Sequence, residues 1–512
     1  MDSSMNHWII VPIVLPAVIA PLIVLAMRHD LVLQRIFSLA ATAALVAVSV
    51  ALVAMAADGP PQMYALGNWP APFGIVLVLD RLSAMMVLLT SVLALLVLVH
   101  AAHDWDRRGR HFHALFQFQL MGVNGAFLTG DVFNLFVFFE VLLIASYGLM
   151  LHGGGQERLK AGVQYVVINL TGSTLFLVAV GLLYGITGTL NMADLAVKVP
   201  QVDAGSQALL QVGALLLLLV FAVKAALVPL HFWLPGTYAN APAPVAALFA
   251  IMTKVGAYSI IRVYTLAFGA DAGAAAWLAA PWLLPAALVT LAIGMLGVLA
   301  SRSLGRMVSF SVVGSMGTLL IAVALFTPTA MTAALYYMLH STFAAAALFL
   351  IVDLVAERRA GHGDRIVAAP GFAQAGLLAS LFFLAAIAMA GMPPLSGFVG
   401  KLLILDAARD AAAMAWIWSV ILVTSLICIV GFGRAGSTLF WKSATFTGML
   451  EPHPPARPAL PVVAAALLLA GTVALTAFAG PVMTYLEGTS AQLFAPEGYI
   501  RAVLGDAAAG AR

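Results

Sequence analysis

Charge is what this sequence most lacks. Of 512 residues only 9% are Asp, Glu, Lys or Arg, while 63% are hydrophobic. A water-soluble domain carries about 25% charged residues, and so little charge cannot cover a soluble globule of this length. Cysteine is nearly absent. Cys428 stands alone in an apolar run, which excludes a disulfide framework or a Cys-based metal site and leaves a small packed side chain. Short alternating segments of the kind that build membrane barrels do not dominate. A P-loop and a dinucleotide fingerprint are missing too, so nothing is built to use ATP, NADH or an iron–sulfur cluster, and no cofactor is implied. The net charge of +3 does not suggest a nucleic-acid partner. The N-terminus has no positive n-region, so the first apolar run does not read as a cleaved signal.

Long apolar runs recur from end to end, each near the roughly 20 residues that cross a bilayer as a helix. They predict an all-α polytopic membrane protein, with the lipid bilayer as its surroundings. Fourteen spans are expected near 8–27, 36–56, 82–100, 112–130, 132–151, 161–187, 208–232, 243–268, 277–300, 307–326, 331–354, 374–405, 412–433 and 459–482. Trp8, Trp105, Trp277 and Trp441 fall near span ends, as interfacial anchors do. The loops after odd-numbered spans hold fifteen Lys and Arg residues, among them Arg28, Arg107, Arg158, Arg302, Arg358 and Arg457. The even loops and termini hold five: Arg81, Lys198, Arg409, Arg501 and Arg512. This bias predicts cytoplasmic odd loops in a cytoplasmic (inner) membrane, with both termini external. The stretch Tyr64 to Leu79 suggests an external hairpin, and the tail from Met483 is expected along the outer surface.

Two spans look interrupted. The seventh reads KAALVPLHFWLPG from Lys224 to Gly236, and the twelfth reads GMPPLSGFVGK from Gly391 to Lys401. Proline removes a helical hydrogen bond and glycine weakens the helix further. Such breaks survive at membrane depth only where protein or water satisfies the freed backbone. They lie five spans apart. Spans four to eight and nine to thirteen therefore suggest two inverted five-helix repeats, a transporter design in which interrupted segments mark the ion path. The expected divisions are 1–110 (three helices and the hairpin), 111–270 (first repeat), 271–436 (second repeat) and 437–512 (last helix and tail).

Charges inside a bilayer cost several kcal/mol each. Four stand well inside apolar spans: Glu140, Lys224, Lys254 and Lys401. Glu140 is nine residues past Asp131, or about 13 Å along a helix, near mid-membrane. One reading is structural, with Glu140 pairing one lysine to pin two helices. That leaves two lysines over, and buried lysines without partners exchange protons readily, so the set reads as a proton relay. His340, nine residues into the eleventh span, has a shuttle's chemistry, and a histidine that merely hydrogen-bonds a neighbour is the other reading. His231, beside Pro229, has the same two readings. Ser309, Ser311, Ser315 and Thr318 line one face of the tenth span, for waters or for close helix packing. Arg262 and Asp353, near span ends, are expected to snorkel to the interface. The segment HAAHDWDRRGRHFH, His100 to His113, looks metal-like, but a solvated positive loop is more economical. No metal ligands are assigned.

The runs GDVFNLFVFFEVLLIASYGLML, KAALVPLHFWLPGTYANAPAPVAALFAIMTKVGAY, LHSTFAAAALFLIVD and GMPPLSGFVGK together resemble the antiporter-like subunits of respiratory complex I and of Mrp-type (Mnh or Pha) antiporters, over essentially the whole chain. The stretch Asp131 to Glu140 and the wording of GMPPLSGFVGK look most like the D-type Mrp subunits. The resemblance implies fourteen spans, inverted repeats and a hydrophilic axis along the membrane. Glu140 and Lys224 would form a first coupled pair, Lys254 a connector and Lys401 a terminal proton site, with His340 between the last two. It implies a secondary transporter subunit rather than an enzyme, working with other subunits to exchange Na+ or K+ for protons. A proton-pumping subunit of NADH-quinone oxidoreductase or of a membrane-bound hydrogenase is the alternative, and a scaffold subunit without an ion path a third reading.

Overall fold

A computed structural model describes residues 6–359, 361–444 and 459–509. Arg457 and Arg512, two of the residues in the charge comparison, lie outside the described residues. The first part of the chain forms α1 (Val11–Ala26), α2 (Leu31–Asp58), the strands β1 (Gln62–Ala65) and β2 (Val76–Leu79), then α3 (Arg81–Ala101), α4 (Phe112–Leu128), α5 (Val132–Met150) and α6 (Gln156–Thr187). There follow α7 (Met192–Lys198), α8 (Gln207–Lys224), α9 (Trp233–Asn240), α10 (Ala243–Leu248), α11 (Ala250–Leu266), α12 (Ala280–Ala300), α13 (Leu304–Ala324) and α14 (Pro328–Arg358). Next come α15 (Ala375–Ala390), α16 (Ser396–Ala407), α17 (Met414–Gly436), the single turn α18 (Lys442–Ala444), α19 (Leu460–Ala477), α20 (Ala479–Phe494), α21 (Glu497–Leu504) and the single turn α22 (Asp506–Ala509). Among the described residues eleven helical segments are long and apolar enough to cross a membrane, and α1 and α15 are shorter apolar helices. The two strands pair antiparallel, Gln62 opposite Leu79, so the expected hairpin is present.

Two central helices organise the bundle. Every residue of α11 is buried. Helix α14 packs against α10, α13, α16, α19 and α20. The outer helices α2, α6, α12 and α17 keep exposed apolar faces that include Val50, Val163, Leu296 and Leu426, as lipid-facing helices must.

Both expected breaks are real. Helix α8 stops at Lys224 and α9 starts at Trp233. The freed backbone finds partners: Val228 N–H donates to Thr290 Oγ1 on α12 at 2.9 Å, and Val223 C=O accepts from Trp233 Nε1 at 3.0 Å. Protein groups thus replace the lost helical bonds, the condition for irregular backbone at this depth. In the second break α15 ends on Gly391, which takes φ +80°, a left-handed value that glycine adopts freely. A Cβ there would also lie 2.6 Å from Lys401 Cδ. The Ala390 carbonyl, left open at the end of α15, accepts from Lys401 Nζ at 2.9 Å. A cation from the second half-helix thus caps the first half's negative end.

The last span is shorter than expected. Helix α19 ends at Ala477, Phe478 leaves helical geometry, and the chain runs on as α20, which packs on α14, α11 and α3. Gly480 and Pro481 stand in the first turn of α20. The hydroxyls of the tenth-span face turn inward on their own helix: Ser309 bonds Gly305 C=O, Ser311 Val308 C=O and Ser315 Val312 C=O. That geometry favours the packing reading of this face.

Candidate functional site

Glu140 sits half-buried on α5. Val137 and Ile144, about one turn either way, are exposed, so the carboxylate lies on the outward edge of its helix. Its Oε1 accepts from Ser173 Oγ on α6. Lys224, the last residue of α8, is buried, and its ammonium donates at 2.6 Å to Asn169 Oδ1, also on α6. The Phe139 ring lies 5.9 Å from the same nitrogen. Asn169 and Ser173 are four residues apart, one turn on a common face. Among the described residues no ion pair joins Glu140 to Lys224; helix α6 holds each through a neutral side chain. Sequence reasoning missed both, although an Asn buried in the run YVVINLTGS was the available signal. A cavity of about 10 Å³ beside Lys224, lined by Tyr165, Asn169, Trp233 and Met252, is about the least space that holds one water.

Lys254 on α11 is fully buried and its Nζ has no hydrogen-bond partner. His340 on α14 is also fully buried. Its Nδ1 lies 2.8 Å from Ser396 Oγ, at the start of α16, while Nε2 has no partner. Lys401, on the same short helix, donates to Ala390 C=O and, at 2.8 Å, to Ser425 Oγ on α17. The second break thus brings His340 and Lys401 to one element. His231 stands in the first break, half-buried, with a buried Nδ1 that lacks a partner. The structure places no other predicted site residue in hydrogen-bond contact with it.

Three expectations need correction. Arg262 does not snorkel: its guanidinium makes a two-pronged pair with Asp80, at 2.5 and 2.8 Å, with both residues buried. Asp353 is buried as well, accepting from Trp105 Nε1 at 2.9 Å and lying 2.8 Å from His100 Nε2. The segment from His100 to His113 is not simply a solvated loop. Trp105 and Asp106 are buried, and Asp106 accepts from Arg35 at 2.6 and 2.7 Å while lying 3.0 Å from His113 Nε2. Burial alone would push Asp106 up, but the bonds to Arg35 and His113 outweigh it and hold the carboxyl at about 2. His100 and His113 meet separate acids, and among the described residues no group of three or more His, Cys, Asp or Glu is placed to hold a metal. Burying these partners against α2, α4 and α14 removes more polar surface from water than an exposed loop would, so each charge needed a partner.

Bundle and buried side chains together define a polytopic membrane protein with ionisable groups threaded through its interior on hydroxyl, amide and carbonyl partners. Residues 129–429 match the transmembrane family NADH:quinone oxidoreductase/Mrp antiporter, and the chain belongs to that family. It is 41% identical to the D-type subunit of a probable K(+)/H(+) antiporter of Rhizobium meliloti (strain 1021), an alignment covering 100% of both chains. It is 39% identical to the D-type subunit of the Na(+)/H(+) antiporter of Bacillus subtilis (strain 168), over 98% of this chain and 100% of that one. Among solved structures it resembles a chain of the Mrp complex from Dietzia sp. DQ12-45-1b, with TM-score 0.87, 30% identity and coverage of 98% of this chain and 100% of that chain.

Proposed function

We propose that this chain is the proton-translocating D-type subunit of a multisubunit Na+(K+)/H+ antiporter in the cytoplasmic membrane. The observation that carries the reading is the partner chemistry of the deep charges. Glu140, Lys224 and Lys401 bond neutral hydroxyl, amide or carbonyl groups, and Lys254 Nζ and His340 Nε2 bond nothing. A hydroxyl can donate or accept, so these sites tolerate both protonation states of the groups they hold. In the proposed cycle, movement of a charge at Glu140 changes the proton affinity of Lys224, whose proton passes to Lys254 and then by His340 to Lys401. Coulomb coupling along such a chain is strong because water screens little inside the bundle. His231 is a weaker candidate at the first break.

An inverted repeat would fit this reading. If α4 to α11 and α12 to α17 are inverted copies, both breaks fall in the fourth span of their repeat and both carry a relay lysine. The antiporter reading is preferred to a redox-driven pump because the curated relatives at 39% and 41% identity are antiporter subunits. Their names differ in the cation, and the deep acid Glu140 is already engaged in the relay. We therefore place the cation path in a partner subunit or at a shared boundary. Glu140→Gln and Lys401→Arg test the relay in inverted vesicles carrying the whole complex. Both should stop cation-dependent proton exchange with assembly intact, since arginine keeps the charge but does not release its proton. A fully active Lys401→Arg complex would make that lysine a structural charge and sink the relay. Expressed alone, the chain should give neither salt resistance nor exchange.

A further inference from the structure

One face of α11 carries Lys254, Tyr258 and Arg262 at four-residue spacing, so that each follows the last by about one turn, or 6 Å. Lys254, Tyr258 and Arg262 are all at least 97% buried. Between its two ends the stripe is satisfied. Tyr258 Oη donates to Phe127 C=O at 2.7 Å and accepts from Arg262 Nε at 3.2 Å, and Arg262 grips Asp80 with both prongs. The inner end is the unpartnered Nζ of Lys254. The outer end is Tyr499, whose ring lies 5.2 Å from the Arg262 guanidinium and whose hydroxyl is buried without a partner. Tyr499 is only 4% exposed. It comes from the C-terminal helix α21, which seats Tyr499, Ile500 and Val503 inward against α7 and β1. Its hydroxyl approaches so closely that a Cβ on Gly130 would lie 3.1 Å from it. Two unpartnered polar atoms, Lys254 Nζ and Tyr499 Oη, thus flank the bonded group of Tyr258, Arg262 and Asp80. One belongs to the relay and the other to the face of the membrane on which the C-terminal helix lies.

We propose that this stripe is a side branch of the relay through which Lys254 exchanges protons with that face, and that Tyr499 is its gate. The inference rests on the reading of Lys254 as a relay site. In the outward step the Lys254 ammonium gives H+ to a water and is left as a neutral amine; the hydrated proton passes Tyr258 and leaves beside Tyr499. Reloading reverses the step. Arg262 does not carry the proton, because a guanidinium keeps its charge. With both prongs on Asp80 it offers Na+ and K+ no free oxygen ligand, since a guanidinium has no acceptor, and the branch favours a species that can travel along hydrogen bonds. Tyr499 is a positioning residue here, closing the mouth between turnovers.

The test uses the complete complex in liposomes with a pH-sensitive dye and no transported cation. Tyr499→Ala should produce a proton leak that the wild type lacks, and adding Lys254→Ala to it should abolish the leak. Tyr499→Phe keeps the ring and the packing of α21, so it reports even where the alanine variant fails to assemble. It should stay tight yet slow cation-driven exchange about fivefold, because the passing hydrated proton loses the one hydrogen bond, of about 1 kcal/mol, that the otherwise unpartnered hydroxyl offers it. A Tyr499→Ala complex as tight as the wild type, a leak that survives Lys254→Ala, or full-rate exchange by Tyr499→Phe would each overturn the gate. Lys254→Ala alone separates the two levels of argument. If it still exchanges at the wild-type rate, the relay reading fails; if it is inactive while the Tyr499 variants behave as wild type, only the branch fails.

Discussion

Replacing Lys254 by methionine should make the protein more stable and inactive at once. Lys254 is fully buried and its nitrogen bonds nothing. Leaving even a neutral polar group so placed costs about 1–3 kcal/mol, and an ammonium costs more. Methionine is close in length, apolar and able to fill irregular space, so Lys254→Met removes that cost without opening a cavity. Lys224 and Lys401 provide the contrast. Lys224 donates to Asn169, and Lys401 to both Ala390 C=O and Ser425. Methionine at either would strand buried acceptors, at about 1–3 kcal/mol for each. The expected order of melting temperature in the purified complex is Lys254→Met above wild type, then Lys224→Met, then Lys401→Met, with steps of a few degrees. All three should lose cation-dependent exchange. The assay is thermal unfolding in detergent beside proton flux in vesicles. If Lys254→Met melts below wild type, or Lys401→Met rises with it, the idea that Lys254 is held at an energetic cost for function is wrong.

Asn169→Leu strands the Lys224 ammonium and should abolish exchange while Ser173→Ala, which leaves Glu140 a half-exposed carboxylate, reduces it; flux in vesicles decides, and equal, unaffected rates would remove α6 from the site. Asp80→Asn leaves Arg262 buried and uncompensated, a loss of about 3–5 kcal/mol that should appear as a low yield of assembled complex; a normal yield would show the pair to be dispensable. Asp106→Asn should cost about 2 kcal/mol near neutral pH, because the carboxyl sits at about 2 in the fold against an ordinary 3.8. A depressed carboxylate stabilises the fold above its ordinary value and stops doing so as pH falls through the folded one, so the two melting curves should converge between pH 3.8 and about 2. Cysteines placed in the His100 to His113 segment and in α21 test orientation: an impermeant thiol reagent added to intact cells should label α21 alone.

The breaks and the deep charges were legible because each has a one-dimensional signature. Pro229, Pro393 and Gly391 interrupt a helix wherever they stand, and a lysine ten residues from either end of an apolar run is deep in any packing. The hairpin was legible for a similar reason, since an apolar pair of strands flanked a Pro- and Gly-containing turn. What stayed hidden was azimuth and pairing. Asn169 meets Lys224 across 55 residues, Asp80 meets Arg262 across 182, and His100 meets Asp353 across 253. Sequence position fixes how deep a side chain lies but not which neighbour it faces. Snorkelling and pairing look alike for a charge near a span end, and the partner of Arg262 stands at the hairpin's edge, where the structure also makes it the N-cap of α3.

Partner type separates the buried ion pairs from the groups proposed to relay protons. Arg262 with Asp80, Arg35 with Asp106 and His100 with Asp353 are ionisable pairs, each closed by at least one contact within 2.8 Å. They join elements far apart in sequence, and the Arg262–Asp80 and Arg35–Asp106 pairs would each leave a stranded guanidinium if the acid took up a proton. Glu140, Lys224, His340 and Lys401 instead meet Ser173, Asn169, Ser396, Ser425 and a backbone carbonyl. None of these partners carries a formal charge, so a proton can arrive or leave without abandoning an opposite ion in a medium that would penalise it. A relay built from opposed salt bridges would trap its proton at the first pair. One built on hydroxyls and amides leaves each site free to change its proton, and Lys254, fully buried with no partner at all, is the position in the proposed chain least committed to a neighbour. That combination makes it the natural point for a branch, and it is why the stability of Lys254→Met and the leak through Tyr499→Ala interrogate the same residue from two directions.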